Sequence, residues 1–154
     1  MREIESFEAM RALVGEELGV SSWVDVTQER IDKFAEATGD FQWIHVDPER
    51  AKTELPGGKT IAHGYLTLSL VPMMMYEIYK IANVTHGLNY GANKIRFTAP
   101  VPAGERVRGR LRIKNTEDMP NNGLKIFGEV TIEIEGAERP ACVAETISVT
   151  YGAT

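Results

Sequence analysis

Asp40 and His45 stand five residues apart in the segment Asp40-Phe41-Gln42-Trp43-Ile44-His45, and together they supply a carboxylate and an imidazole. If both converge on one water, one can take a proton while the other gives one at neutral pH. Spacing alone leaves a plainer reading open, in which Asp40 is a helix-end or turn residue and His45 a loop histidine with its hydrogen bonds satisfied. His63, followed by Gly64, is the other imidazole of this half of the chain. His45, Asp47 and His63 can be imagined around zinc, but Asp47 precedes Pro48 as a helix cap, and no Cys or Glu at recognisable spacing completes a tetrahedral set. The expectation is no metal and no cofactor. A third pattern is Arg106, Arg108, Arg110, Arg112 and Lys114, cations on one face of an alternating segment. Such a stripe is either a solvated sheet face or, in part, a seat for phosphate.

The elements that must hold these residues follow from periodicity. Phe7, Met10, Leu13 and Val14 recur at helical spacing, and after an extended stretch from Trp23 to Val26, Thr27 caps a helix carrying Ile31, Phe34 and Ala35 on one face. Gly39 stops that helix, so Asp40 to Val46 reads as a loop before Asp47-Pro48 opens a further helical turn. Pro56-Gly57-Gly58 is a second loop, delivering the chain to the apolar run Ile61 to Ile81. That run is about as long as a membrane span, but His63, Pro72, Glu77 and Lys80 interrupt it, and no basic flank sets a topology. It reads as one long helix buried in the core, beginning near His63.

From Leu88 onward the pattern is strand-like. Val107, Gly109, Leu111 and Ile113 alternate with the cationic stripe, and Leu124, Ile126, Gly128, Val130, Ile132 and Ile134 form a second period-two series. Asn121-Asn122-Gly123 between them signals a hairpin, because Asn and Gly tolerate positive φ. Cys142 to Tyr151 reads as the last strand, and His86 as a solvated histidine in a turn from Asn83 to Asn89. Helices followed by long antiparallel strands imply an α+β domain with its sheet wrapped around one helix.

Composition narrows the partners. The 154 residues are 43% hydrophobic and 25% charged, enough for one domain, residues 1–154, with a core that needs no disulfide. With 17 Lys+Arg against 22 Asp+Glu the net charge is −5, which gives no general field for nucleic acid or an anionic membrane. The lone Cys142 forms no internal disulfide, and Glu3, Glu5 and Glu8 stand where a signal peptide needs an apolar run, so a cytoplasmic location is expected.

The run Thr38-Gly39-Asp40-Phe41-Gln42-Trp43-Ile44-His45-Val46-Asp47-Pro48, followed by Ile61-Ala62-His63-Gly64, resembles the MaoC-like or hydratase 2 family. Its usual pattern is Gly-Asp-x-Asn-Pro-x-His-x-Asp-Pro and then a His-Gly opening the central helix. Asn93-Lys94-Ile95-Arg96-Phe97, with Pro100-Val101 and Gly104, is similar to a later strand of that family. Gln42-Trp43 departs from the usual Asn-Pro: the amide sits one methylene further out, and the loop loses proline's fixed φ. This variant resembles a branch that includes mycobacterial 3-hydroxyacyl-thioester dehydratases.

The resemblance implies a hot-dog fold, a homodimer, and syn addition of water to a trans-2-enoyl thioester giving the (R)-3-hydroxyacyl product. Asp40 and His45 would be the catalytic pair. Gly64, Gln42, His63 and Asn93 would be candidates for substrate and oxyanion contacts, Gly64 through its backbone N–H at the start of the central helix. Lys94, Arg96, Arg108 and Arg110 are candidates for the CoA phosphates. The thioester carrier would be CoA or an acyl carrier protein. Two alternatives share the fold: an acyl-CoA thioesterase, and a non-catalytic acyl-binding subunit.

Overall fold

A computed structural model describes residues 1–153. The first half is built from short pieces: β1 (Arg2–Ile4), α1 (Phe7–Arg11), β2 (Glu17–Val20), β3 (Val24–Asp25) and α2 (Gln28–Thr38). They lead to α3 (Trp43–Val46), α4 (Pro48–Glu54) and a 3₁₀ turn at Pro56–Gly58. Thr27 caps α2 by accepting from the Arg30 N–H, and Gly39 ends it in the left-handed region at φ +80°. Between α2 and α4 the expected loop contains the single helical turn α3. Asp47 caps α4 by accepting from the Arg50 N–H, with Pro48 in the first turn.

The expected long central helix is two segments, α5 (Gly64–Ser69) and α6 (Val71–Ile78), and the chain then turns extended as β4 (Tyr79–Ile81). Pro72 is the physical reason for the break, since it has no N–H for the i−4 carbonyl and its ring crowds that position. Leu70 keeps helical angles at the junction, so both segments follow one course through the core. Among the described residues, no helix is long and apolar enough to cross a membrane.

Four long strands follow: β5 (Val84–Arg96), β6 (Arg106–Met119), β7 (Gly123–Ile134) and β8 (Cys142–Gly152). Their antiparallel sheet runs β2-β6-β7-β8-β5, with β3 also paired to β6, while β1 and β4 form a separate parallel pair. Asn121 and Asn122, both at positive φ, turn β6 into β7 as expected. Strand β5 begins at Val84, so His86 lies in a strand opposite Tyr151, not in a turn.

Alternation along β6 and β7 sends Val107, Leu111, Ile113, Leu124, Val130 and Ile132 inward against α6. Gly109 belongs to this series because Met74 sits on it: a Cβ there would lie 2.9 Å from the Met74 sulfur. Met74, Ile113, Leu124 and Ile132 are wholly buried, and truncating any one to Ala would cost about 2–5 kcal/mol. The sheet therefore curves around α5 and α6, which fixes where the start of α5 can be.

Candidate active site

Three segments meet at the N-terminal end of α5. The first is the loop after α2 that carries Asp40. The second is α3, which carries His45 on its last turn. The third is the extended piece 60–63 leading to His63. This piece is pinned on both sides: Ala62 N–H donates to Val101 O (2.8 Å), Ala103 N–H to Thr60 O (2.8 Å) and Ile61 N–H to Ile44 O (3.0 Å).

Gln28 ties α3 down from below. Its side-chain amide donates to His45 O (2.7 Å), and its carbonyl accepts from the Thr60 hydroxyl. The guanidinium of Arg50 lies 3.9 Å over the Trp43 ring, so Trp43 joins α3 to α4. Sequence reasoning missed Gln28 and Thr60. No local pattern marks them, because each acts on a segment far away in the chain.

His45 is 7% exposed and His63 2%, and their rings stack at 3.8 Å between centroids with 23° between planes. Phe34 of α2 packs against His63 at 4.9 Å. Each imidazole is tied on one edge to a backbone carbonyl: His45 Nδ1 to Ile61 O at 2.7 Å, and His63 Nε2 to Asp40 O at 3.0 Å. A carbonyl only accepts, so the bonded nitrogens carry the protons. The other nitrogens, His45 Nε2 and His63 Nδ1, are then bare lone pairs. His63 Nδ1 is buried without a partner.

Asp40 is exposed, and its carboxylate accepts the Gln42 N–H at 3.3 Å, an Asx-type turn. One carboxylate oxygen of Asp40 and one ring nitrogen each of His45 and His63 lie within 4.8 Å of one another. That span suits one bridging water, since two hydrogen bonds of about 2.8 Å meeting near the tetrahedral angle reach a little under 5 Å. A carboxylate and two imidazoles could also hold a divalent ion. Imidazoles on one ion radiate from it at about 2.0–2.1 Å, whereas rings stacked at 3.8 Å lie side by side, so this set would bind a metal only after the stack opened.

Gly64 opens α5, so its N–H has no intrahelical acceptor. It also has a packing reason to be glycine: a Cβ would come within 2.8 to 3.0 Å of the Phe97 ring. Gln42 is exposed between the members of the pair. Asn93 lies on β5 and donates to Glu145 at 2.7 Å; Lys94 and Arg96 are exposed on the same strand.

Arg108 and Arg110 are on the outer face of the sheet, opposite the helices, and both bind Glu133, at 2.7 and 2.8 Å. Arg110 also binds Glu17, and Arg108 stacks on Trp23. The structure thus gathers Asp40, His45, His63 and Gly64, and leaves the stripe elsewhere. Cys142 is buried, which pushes its thiol up to about 11 and leaves no thiolate nucleophile at neutral pH.

Beneath α5 and α6 a cavity of about 950 Å³ opens against the concave sheet, lined by Leu68, Met75, Ile95, Leu111, Ile126 and Ile147 among others. Its lining is mostly apolar, and Leu68 lies one helical turn beyond Gly64.

A family model described as MaoC like domain matches residues 9–135. The 3-hydroxyacyl-thioester dehydratase Z of Mycobacterium tuberculosis is 49% identical over 147 residues, covering 96% of this chain and 97% of that relative. Among solved structures, a monoamine oxidase regulatory protein from Archaeoglobus fulgius is similar with a TM-score of 0.76 and 25% identity, over 99% of this chain and 97% of that one. An (R)-hydratase from Pseudomonas aeruginosa is similar in fold, with a TM-score of 0.68 at 21% identity over 91% of this chain and 83% of its own.

Proposed function

Because this chain belongs to the MaoC-like domain family of dehydratases and hydratases and has its hot-dog fold, we propose that it hydrates trans-2-enoyl-CoA reversibly to (R)-3-hydroxyacyl-CoA. The observation that carries the reading is the cluster in which a carboxylate oxygen of Asp40 and one ring nitrogen each of His45 and His63 lie within 4.8 Å of one another, a span one water can bridge. The water oxygen bonds to the β-carbon, the carbon–carbon π bond breaks, and a proton is added at the α-carbon. Of Asp40 and His45, one takes the proton from water and the other returns one. The Gly64 N–H meets the negative charge that develops on the thioester oxygen. The apolar cavity under α5 and α6 takes the acyl chain. Lys94 and Arg96, exposed on β5, are the nearer candidates for the CoA phosphates, since Arg108 and Arg110 already hold carboxylates.

The test is crotonyl-CoA with the purified protein, reading enoyl absorbance and free thiol together. Loss of absorbance without thiol release is the expected result. Thiol release would establish a thioesterase, and tight binding without either change an acyl-binding subunit.

The reading includes a homodimer. Strand β5 ends the sheet with its outer edge unpaired among the described residues, and Leu88 and Tyr90 on it are exposed, as are Tyr65 and Tyr76 on the helices. A long bare edge beside apolar side chains needs covering, and a second copy covers both. Sedimentation at micromolar concentration should give twice the chain mass; a monomer would sink this part.

A further inference from the structure

His63 touches both members of the pair and is itself shut away from ligand. At 2% exposure it cannot be a substrate contact in this arrangement, and it sits with Phe34 on one side and His45 on another. Its Nε2–H holds the backbone carbonyl of Asp40 at 3.0 Å, and its face lies against the ring of His45 at 3.8 Å. The remaining nitrogen, Nδ1, has no partner although it is buried. An unpaired buried polar atom carries a cost of order 1–3 kcal/mol. A phenylalanine at this position would fill the same space without that cost, but could not hold the Asp40 carbonyl. A glutamine could hold the carbonyl, but offers no face to His45.

We propose that His63 is a positioning residue for proton transfer, setting the Asp40 backbone and the His45 ring relative to each other through one side chain. This rests on reading Asp40 and His45 as the pair. The N–H of His63 fixes where the Asp40 turn begins, and therefore where the carboxylate stands. Its ring face fixes the tilt of the His45 imidazole about the bond that Nδ1–H makes to Ile61 O, and so the direction of the bare Nε2. With its own proton committed to the Asp40 carbonyl, His63 offers no second donor to the water.

The experiment is a double-variant cycle with a spectroscopic arm. His63→Phe keeps the ring face and loses the bond to Asp40; His63→Gln keeps a donor at the Nε2 position and loses the face. Each should lower kcat for crotonyl-CoA about ten- to a hundredfold with KM changed less than about twofold, because misplacing a reacting group by about 1 Å costs on that order. In a His45→Gln background, where the partner ring is absent, His63→Gln should cost almost nothing further. A purely structural role would cost the same in both backgrounds and would overturn the proposal.

The spectroscopic arm needs no turnover. In ¹⁵N-labelled protein the His45 Nδ1–H bonded to Ile61 O should give a protected downfield proton signal that is lost or broadened in His63→Gln. An unchanged signal in a folded variant would also overturn the proposal. If the wild-type protein proves inactive on crotonyl-CoA while this signal still depends on His63, the function reading fails and the positioning role stands.

Discussion

The corner that holds Asp40, His45 and His63 and the outer face that holds Arg106 to Lys114 are both dense in ionisable groups, but they are built on opposite plans. On the outer face four of the five cations are met by carboxylates: Arg106 by Glu135, Arg108 and Arg110 by Glu133, and Lys114 by Glu145. In the corner each ring is tied on one edge only, to a backbone carbonyl that cannot cancel charge, and the other nitrogen is left bare. Cross-strand ion pairs commit the charges of both partners to each other. Half-tied imidazoles keep one bare nitrogen each, in a fixed direction. A count of charges does not separate the two regions; the hydrogen-bonding capacity left over does.

The sharpest way to break that contrast is to disable the pair. Asp40→Asn and His45→Gln keep side-chain size and remove proton transfer, so each should lower kcat about 10²- to 10⁴-fold with little change in circular dichroism. The double variant should be little worse than either single one, since groups sharing one step are strongly non-additive. A folded Asp40→Asn protein hydrating crotonyl-CoA at near wild-type rate would remove the corner's claim to the chemistry.

The pair was legible because residue type, spacing and flanking motif all speak locally: Gly39 stops one helix and Asp47-Pro48 starts another, so the residues between them had to lie in a short connection. What held the pair in place was not legible. The Gln28 side-chain amide reaches the His45 carbonyl from seventeen residues away, and the Thr60 hydroxyl reaches the Gln28 side-chain carbonyl from thirty-two residues beyond, so neither partner is near in the chain. The central helix was overextended because the run from Ile61 to Ile81 is apolar in the main despite its interruptions, while the break at Pro72 and the turn to β4 are set by backbone geometry and by pairing with β1. Strand β5 starts early for a similar reason, with Asn83 at φ +61° making the turn tight. The stripe of cations was legible as a sheet face, but its partners lie on other strands, where sequence distance hides them.

A second test asks whether the glycine of the corner serves ligand or packing. Gly64→Ala places a methyl against the Phe97 ring, so an overpacking cost of about 1–3 kcal/mol is expected, read as a Tm lower by roughly 3–10 °C. Phe97→Leu in the same protein should restore most of the Tm. If kcat returns with the Tm, Gly64 is needed for packing alone; if kcat stays low in the restored protein, the glycine is needed for close approach of the thioester. The second outcome is expected, because α5 begins there and its N–H lacks a helical acceptor.

The smallest effects belong to the outer face. Charge reversal in Arg108→Glu or Arg110→Glu should leave kcat and KM for crotonyl-CoA unchanged, because both guanidinium groups are already bound to Glu133; a raised KM would mean that this face does meet CoA after all. The stability cost should follow pH in a definite direction. Burial pushes the Glu133 carboxyl up, but hydrogen bonds from Arg108 and Arg110 outweigh it and hold the group below the usual carboxylate range. A carboxyl depressed on folding adds stability above its unfolded value, about 4.3, and loses it as pH falls through the folded value. Solvent reaches all three side chains, so Glu133→Gln should cost about 1 kcal/mol or less at pH 7. Urea midpoints of variant and wild type should therefore differ at pH 7 and converge as pH falls below about 4.3, the unfolded value, and on through the lower folded value. A gap that stayed constant down to pH 2.5 would mean that Glu133 acts by packing and not by charge, and the outer face would then lose the feature that sets it apart from the corner.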